Sequence, residues 1–261
     1  MDDHVNEKDY ELLDGDRYTF FVLKKVMDRD CRLLLSDHEK LIICFTCPPY
    51  PVWIWTADDA SAEDMEKAYQ TARENGLFDG NNSFNLKYGL AEYFLKKDRE
   101  LALRTNMFVY DCPKPIKPSF RADGHIHLCT DADLEELIGF LDLFHKEIGI
   151  DQKDLSAYRE DATAHIASGT MYFWKNDTGE NVACCKYGPN GDMAAINLVF
   201  TLPRYRRRHY AENLVYEVTV KAKEAGYLPM LYTDADYIAS NACYEKIGYV
   251  LRGKLCTIGY R

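Results

Sequence analysis

Basic residues are concentrated at one point of the chain, where a predicted strand over residues 193–201 is followed by a predicted helix over residues 206–225. The basic residues are Arg204, Arg206, Arg207, Arg208 and His209. The macrodipole of a helix already places about half a positive charge at its N-terminus, so further cations there are unfavourable. An anion on the unpaired first-turn amides would remove that conflict, and guanidinium groups suit phosphate oxygens. The segment therefore predicts a site for a phosphate-bearing ligand.

The basic cluster also permits two interpretations that involve no ligand. The arginines could form a solvated patch, or they could pair with nearby Asp and Glu side chains. A nucleic-acid interface is disfavoured, because the 261-residue chain holds 42 Asp and Glu against 32 Lys and Arg, a formal net charge of -10.

A second candidate segment follows the helix. Residues 228–233 predict a strand, and residues 240–247 predict a short helix that ends before Gly248. Ser240, Asn241 and Tyr244 are spaced so that they can share a face of this helix. A chain with 19 Tyr uses most of them for packing, so Tyr244 gains interest only from the motif around it.

Together the two segments resemble the acetyl-coenzyme A signature of GNAT acetyltransferases. In that family a strand ending in Val-x-Thr-x-Pro precedes Arg/Gln-x-x-Gly-x-Gly/Ala at the start of a helix. Here the first motif reads Val199, Thr201 and Pro203, then Arg-Arg-Arg-His-Tyr-Ala over residues 206–211. The second motif is matched by Ser240, Tyr244, Gly248 and Tyr249. The resemblance covers residues 121–261 and is sharpest over residues 196–249.

The resemblance implies a cofactor site and one catalytic residue. Backbone groups around Val199, Phe200 and Thr201 would bind the pantetheine arm of acetyl-coenzyme A. The residues of the implied phosphate site are Arg206, Arg207, Arg208, His209, Tyr210 and Ala211, and the short helix adds Ser240 and Asn241. Tyr244 would protonate the leaving thiolate as general acid. A backbone amide of the strand would stabilise the oxyanion, and no metal is implied.

The chain departs from the family pattern at three positions. His209 stands where the family usually has Gly, Arg207 stands where Gly is frequent, and Tyr237 replaces an expected Asn. Glycine permits close approach of the backbone to phosphate, so these departures bear on cofactor affinity more than on fold. Residues 194–199 also hold no acidic side chain, and the general base stays unassigned, with Asp192 and Asp234 as candidates.

Composition bounds the class of protein. With 47% hydrophobic and 13% aromatic residues the chain can bury a core, which excludes global disorder. No apolar run approaches the roughly 20 residues that span a bilayer, and the acidic start predicts no signal peptide. Nine cysteines without a secretion signal predict reduced thiols. We therefore expect a cytoplasmic protein that binds neither nucleic acid nor membrane.

Three prolines between residues 113 and 118 predict a domain boundary near residue 120, because proline interrupts helices and central strands. We predict an N-terminal α/β domain of unknown role over residues 1–120 and a GNAT acetyltransferase domain over residues 121–261. The predicted fold class is α/β (α+β), a GNAT-like mixed, mostly antiparallel sheet flanked by helices.

The N-terminal half carries no catalytic motif. Its sequence predicts strands over residues 40–46, 51–56 and 105–111, a helix after Ser61 and a second helical stretch over residues 85–97. Some two-part bacterial proteins similar to this one pair a degenerate GNAT-like half with an intact one. The resemblance therefore raises the hypothesis that the N-terminal half is such a degenerate GNAT-like domain.

Three further groups of reactive residues predict no site. Cys44 and Cys47 form a CxxC, but no second pair follows at a zinc-finger spacing. His125 and His127 face the same side of a predicted strand without an evident third metal ligand. Residues 184–185 are two cysteines in a predicted strand, at least one of them in the core, and no local motif supports a Cys–His nucleophile.

The leading functional hypothesis is an acetyl-CoA-dependent N-acyltransferase. Such an enzyme would transfer an acetyl group to a small-molecule or peptide amine by direct attack on the thioester. One alternative is a non-catalytic coenzyme A-binding or regulatory module, motivated by His209 and the unassigned base, and another is an interaction protein that kept only the fold. The acceptor and the oligomeric state stay open, a homodimer being one option.

Overall fold

The computed structural model describes residues 1–149 and 152–261, which form two compact units. Unit 1 consists of Met1–Tyr110, Tyr232–Ile238 and Leu251–Arg261, and unit 2 of Asp111–Leu231 and Ala239–Val250. Each unit is therefore assembled from segments that are not consecutive in the sequence. The predicted boundary near residue 120 falls within unit 2, and the assignment of residues 1–120 and 121–261 as domains stays a prediction.

The described elements alternate between helices and strands along the whole chain. In chain order they are α1 (Glu7–Asp14), α2 (Phe21–Val26), β1 (Leu33–Ser36), β2 (Leu41–Phe45), β3 (Val52–Thr56), α3 (Ala62–Glu74), β4 (Ser83–Leu86), α4 (Tyr88–Lys97), β5 (Leu101–Asp111), β6 (His125–Leu128), α5 (Leu134–Ile148), α6 (Leu155–Ala167), β7 (Met171–Lys175), β8 (Asn181–Asn190), β9 (Met193–Thr201), α7 (Tyr210–Glu224), β10 (Leu228–Asp234), α8 (Ile238–Lys246) and β11 (Val250–Tyr260).

Unit 1 contains a sheet whose strands β2 and β3 are buried on both faces. Its strands are ordered β1-β2-β3-β4-β11-β5, with β1, β2 and β3 antiparallel and β4 parallel to β3. Successive side chains of a strand point to opposite faces, so each strand supplies two cores. Ile43 and Ile54 pack with α3 and α4, whereas Ile42 and Trp55 pack with α1 and α2. Apolar side chains on both faces explain why these strands read as continuous hydrophobic runs.

Unit 2 holds the segments that carry the candidate motifs. Its strands are ordered β10-β9-β8-β7-β6, antiparallel from β6 to β9, and α7 connects β9 to the parallel strand β10. The core between this sheet and the helices α5 and α6 contains Phe140, Phe173 and Phe200. No helix in the described parts of the chain is long and apolar enough to cross a membrane.

The predicted fold class, a mixed and mostly antiparallel sheet flanked by helices, is confirmed. The elements predicted from strong patterns are present, including α3 with Ser61 as its N-cap and α5 ended by Gly149 in the left-handed conformation. The sequence patterns missed α1, α2 and β1, which are short. The helical stretch predicted over residues 85–97 is wrong at its start, because β4 pairs with β3 and β11 and α4 begins only at Tyr88.

The start of α7 also differs from its prediction. The sequence predicted a helix from about residue 206, but the helix begins at Tyr210. Arg206 is extended, with ψ 159°, and Arg207 and His209 adopt left-handed backbone conformations with φ 62° and 63°. Residues 206–209 therefore form a loop with two left-handed residues before the helix.

Candidate functional site

The strands β9 and β10 pair only at their beginnings. Their register joins Met193 to Leu228, Ala194 to Pro229 and Ala195 to Met230. From there β9 continues to Thr201, and in the described structure only β8 pairs with this part. One edge of β9 therefore presents backbone N–H and C=O groups that an extended ligand can pair with.

A β-bulge lies in this unpaired part of β9. Cys184 pairs with Phe200 and Lys186 pairs with Asn197, so two residues of β9, Leu198 and Val199, lie opposite a single residue of β8. Leu198 has φ 51°, a conformation that is uncommon for a residue other than glycine. Bulges re-aim backbone groups and are frequent beside active sites. This bulge was not predictable from the sequence, because a leucine occupies the left-handed position.

The loop before α7 leads into an uncapped helix N-terminus. His209 is the N-cap residue, and no side chain in the described structure caps this end of the helix. The first-turn amides of a helix have no partner within the helix. Left-handed residues next to such amides form a concave arrangement of N–H groups that suits anions. The two positions where the GNAT signature favours glycine, at Arg207 and His209, keep the backbone conformation that glycine would adopt.

An open cavity of about 850 Å³ lies at this helix end. Its lining residues are Phe120, Arg121, Ala122, Asp123, Gly124, Asp177, Arg207, Arg208 and His209. Three of these are arginines, two of which come from the cluster recognised in the sequence. The sequence reasoning missed the segment 120–124, because nothing local to it indicates that it meets a helix some ninety residues later.

The basic cluster divides into two groups. Arg204 pairs with Glu180 at 3.3 Å, and Arg206 pairs with Glu147 and donates to the carbonyl of Thr201 at 3.1 Å. For these two arginines, the interpretation as partners of acidic side chains is correct. Arg207 and Arg208 line the cavity, where Arg208 also lies over the Tyr205 ring. A hydrogen bond from Tyr210, helped by the charge of Arg208, lowers the pKa of Asp123. The cavity therefore has guanidinium groups beside the uncapped amides, which is the arrangement expected around phosphate.

The segment 120–124 is fixed to the first turn of α7 by specific contacts. The Tyr210 hydroxyl donates to the Asp123 carboxylate at 2.6 Å, and burial together with this bond raises the pKa of Tyr210 to about 12. The Asn213 amide donates to the carbonyl of Phe120 at 3.0 Å, and the rings of Phe120 and His209 lie 4.7 Å apart. One wall of the cavity is therefore held in place before any ligand arrives.

Tyr244, the predicted general acid, lies on α8 and is buried. Burial, with the nearby thiols of Cys185 and Cys243, raises the pKa of the Tyr244 phenol, so that it stays protonated at neutral pH. Its hydroxyl makes no hydrogen bond to any residue that the structure describes. The neighbouring Tyr249 differs, because its hydroxyl is 2.7 Å from that of Thr219 in the interior. Among the described residues, the Tyr244 hydroxyl therefore stays available as a proton donor.

The remaining predicted cofactor residues occupy different environments. Phe200 places its side chain in the core, so only its backbone can serve a ligand. The hydroxyl of Thr201 is buried and has no hydrogen-bond partner in the described parts of the chain. Asn241 is buried and Ser240 is partly buried, both on α8. Together with the unpaired strand edge, the orphaned Thr201 hydroxyl fits a strand that receives polar groups from a ligand.

Among the residues of unit 2 that the structure describes, the candidates outside the two motifs do not assemble into a second site. His127 is 2.9 Å from the Asp133 carboxylate, which also accepts from Thr130 at the start of a 3₁₀ turn, so this histidine supports a cap. Asp192 lies in the turn between β8 and β9, and Asp234 accepts a hydrogen bond from the backbone N–H of Asp236 at 2.9 Å. The general base remains unassigned.

Comparison with known proteins gives a family match over the segment that contains both motifs. Residues 137–249 match the family model described as the acetyltransferase (GNAT) family. Among curated proteins, none matches this sequence.

Solved structures resemble the chain over nearly its whole length. An acetyltransferase of the GNAT family from Colwellia psychrerythraea superposes with a TM-score of 0.61, covering 96% of this chain and 97% of its own at 9% identity. A GCN5-related N-acetyltransferase from Kribbella flavida gives 0.63, with 94% of each chain covered at 16% identity. Another from Sphaerobacter thermophilus gives 0.63, with 86% and 81% covered at 12% identity. At such identities the likeness establishes the fold.

Proposed function

We propose that the part of this chain that matches the acetyltransferase (GNAT) family, residues 137–249, transfers an acetyl group from acetyl-coenzyme A to an amine. The observation that carries the proposal is the uncapped N-terminus of α7 beside a cavity lined by Arg207 and Arg208. A diphosphate can accept hydrogen bonds from the first-turn amides while the guanidinium groups balance its charge.

The strand β9 would hold the rest of the cofactor. Its unpaired edge offers backbone groups to the amides of the pantetheine arm, as an added strand would use them. The bulge at Leu198 and Val199 interrupts the regular ladder, and bulges re-aim backbone groups. An amide so placed can donate to the oxygen that becomes negatively charged during acyl transfer.

Acetyl-coenzyme A would supply an activated acyl group, and Tyr244 would supply a proton. The nitrogen of a neutral amine forms a bond to the acetyl carbon as the carbon–sulfur bond breaks. The hydroxyl of Tyr244 gives its proton to the departing sulfur, and the excess proton of the amine passes to solvent. Since burial raises the pKa of Tyr244, the phenol is in its protonated form when the thiolate leaves.

The binding step is tested by titrating acetyl-coenzyme A into the full chain in a calorimeter and in thermal melts. A ligand at one hundred times its dissociation constant stabilises a protein by about 2.7 kcal/mol, which is visible as a shift of a few degrees. We expect a shift with the wild type and a much smaller one after Arg207→Ala with Arg208→Ala. Arg204→Ala is the matched control, because Arg204 pairs with Glu180 and does not line the cavity.

The catalytic step is tested by release of free thiol from acetyl-coenzyme A in the presence of small primary amines and peptide α-amines. Turnover with any acceptor supports the enzyme. Binding without turnover across the panel supports the non-catalytic coenzyme A-binding module, which the absence of an acidic side chain in residues 194–199 favours. A chain that binds no coenzyme A at millimolar concentration contradicts both.

A further inference from the structure

Unit 1 contains a cluster of imidazole and carboxylate side chains that no catalytic argument uses. It lies where the first residues of the chain meet the turn between β1 and β2. Asp2, His4 and His38 each offer one ligand atom, and these atoms lie within 4.8 Å of one another. No sequence motif indicates this grouping, because His38 is far from Asp2 and His4 along the chain.

Each ring nitrogen of His38 faces a carboxylate. Its Nδ1 is 2.8 Å from the carboxylate of Asp9, and its Nε2 is 3.0 Å from the carboxylate of Asp2. The backbone of His38 is left-handed, with φ 58°, and its N–H donates to the Ser36 hydroxyl at 2.9 Å. When a carboxylate accepts from Nδ1–H, the neutral imidazole carries its lone pair on Nε2, where it can ligate a metal.

Asp9 is itself fixed and entirely buried. Its carboxylate accepts from the Ser36 hydroxyl at 2.5 Å and from the backbone N–H of Asn6 at 2.8 Å. A buried carboxylate behind a histidine is the outer-shell arrangement that orients metal-ligating imidazoles in proteins. Exposed ion pairs contribute little to stability, and they do not require a buried, hydrogen-bonded carboxylate behind them.

Asp2 is also positioned by its backbone. Its N–H donates to the carbonyl of Ser36 at 2.8 Å, and the N–H of Ser36 donates to the carbonyl of Asp2 at 3.0 Å. Two of the three ligand atoms are therefore placed before any ion arrives. The third ligand, His4, is exposed, and its ring centre lies 5.4 Å from that of His38.

We propose that Asp2, His4 and His38 form a binding site for a divalent first-row transition ion, with Zn²⁺ as the ion to test. Two imidazole nitrogens and one carboxylate oxygen suit Zn²⁺, Co²⁺ and Ni²⁺, whereas Mg²⁺ and Ca²⁺ prefer sets made of oxygen alone. Three protein ligands leave a position for water, so the site is open and its ion exchanges. Bound metal would fasten the first residues of the chain to the β1–β2 turn and stabilise unit 1.

The test uses the full chain without a polyhistidine tag, stripped with a chelator and then titrated with ZnCl₂ against a chromophoric zinc indicator. We expect one Zn²⁺ per chain, bound at micromolar concentration or tighter, and a higher melting temperature with Zn²⁺. Asp2→Asn and His4→Gln should each weaken binding about tenfold or more, and neither residue is buried, so both variants should fold. His125→Gln is the matched control, because His125 is an exposed histidine on β6.

The result distinguishes this site from zinc held elsewhere. All nine cysteines remain in both variants, so a site built from thiolates would leave their affinity unchanged and overturn the proposal. Absence of stoichiometric binding by the wild type would overturn it as well, and His38 would then serve as an imidazolium between two carboxylates.

Discussion

A Tyr→Phe substitution at Tyr244 and at Tyr249 separates the catalytic role of a tyrosine hydroxyl from its role in stability. Both rings are buried, and they lie 5.8 Å apart. Replacing Tyr244 by Phe removes a hydroxyl that no described residue hydrogen-bonds, so the free energy of unfolding should change little. It should lower kcat about a hundredfold, the lower end of what a general acid contributes, while acetyl-coenzyme A binding stays unchanged. Thiol release and calorimetry on one preparation measure both quantities.

Tyr249→Phe is the control for that experiment. The Tyr249 hydroxyl is paired with that of Thr219, so the substitution leaves the buried Thr219 hydroxyl without this partner. The free energy of unfolding should fall by about 1 kcal/mol, and kcat should stay normal. If Tyr244→Phe retained full kcat, Tyr244 would be a packing residue and the general acid would lie elsewhere.

A second prediction at the residue scale concerns the left-handed backbone at His209. A residue with a Cβ in this conformation costs roughly 1–2 kcal/mol relative to glycine, although histidine tolerates it better than most. We expect His209→Gly to be more stable than His209→Ala by about 1 kcal/mol. Both variants lose the contacts with Phe120 and Glu212, so their difference in urea unfolding isolates the backbone. Equal stability would mean that the loop can relax out of the left-handed conformation.

These residues also show how far sequence reasoning reaches into the site. The basic cluster, the strand before it and the tyrosine on α8 are readable, because each lies in a short motif whose spacing matches an element. The loop before α7 was not predictable, because Arg207 and His209 have positive φ, whereas glycine is the residue that normally indicates such a conformation in a sequence. Arg121 and Asp123 were not predictable, since only the folded chain brings them to α7.

At the scale of elements, α3 and α7 occupy corresponding places in their units, but their N-termini differ in capping and in charge. Each helix connects an antiparallel strand to a parallel one, β3 to β4 and β9 to β10. The N-terminus of α3 is closed by a capping box of Ser61 and Asp64, and its first turn is acidic. The N-terminus of α7 has no such cap and follows arginines. An anion site is therefore expected at α7 and not at α3.

The turn between β1 and β2 predicts a dependence of stability on pH. Burial alone would raise the pKa of Asp37, but bonds from Lys67 and from the backbone amides of Lys40, Leu41 and Glu39 outweigh it and lower that pKa to about 2. Because the folded pKa lies below the unfolded one, this stability is present above about pH 4 and is lost as pH falls toward 2. Asp37→Asn should cost about 2 kcal/mol at pH 7 and progressively less in acid.

Urea unfolding at several pH values between 3 and 7 checks this prediction. Asp59→Asn is the control, because the Asp59 carboxylate is 77% exposed, and its pair with Lys40 should contribute little. A cost for Asp37→Asn that stays constant over this range would show that the carboxylate charge does not stabilise the turn.

At the scale of the whole molecule, the same succession of elements occurs twice. Three antiparallel strands, a crossover helix, a parallel strand, a further helix and a last strand describe β1 to β5, and the same order describes β7 to β11. This repetition supports the hypothesis that the N-terminal half is a degenerate GNAT-like domain. The sequence could not reveal it, because the second copy alone carries the motifs.

The last strand of the chain belongs to unit 1, and this placement predicts where C-terminal substitutions act. β11 pairs with β4, with Ile258 opposite Phe84, and its side chains enter both cores of unit 1, Ile258 on one face and Leu255 on the other. Both side chains are fully buried. Leu255→Ala and Ile258→Ala should each cost about 2–5 kcal/mol, the range for large-to-small changes in a core.

Leu251→Ala, in the same strand, is the matched control, because Leu251 is 39% exposed and should lose far less. Urea unfolding is followed by tryptophan fluorescence in a Trp174→Phe background, so that only Trp53 and Trp55 of unit 1 report on the three variants. Losses at Leu255 and Ile258 no larger than at Leu251 would mean that β11 is not a central strand of the N-terminal unit. Large losses would show that the sheet of unit 1 depends on β11 for its stability.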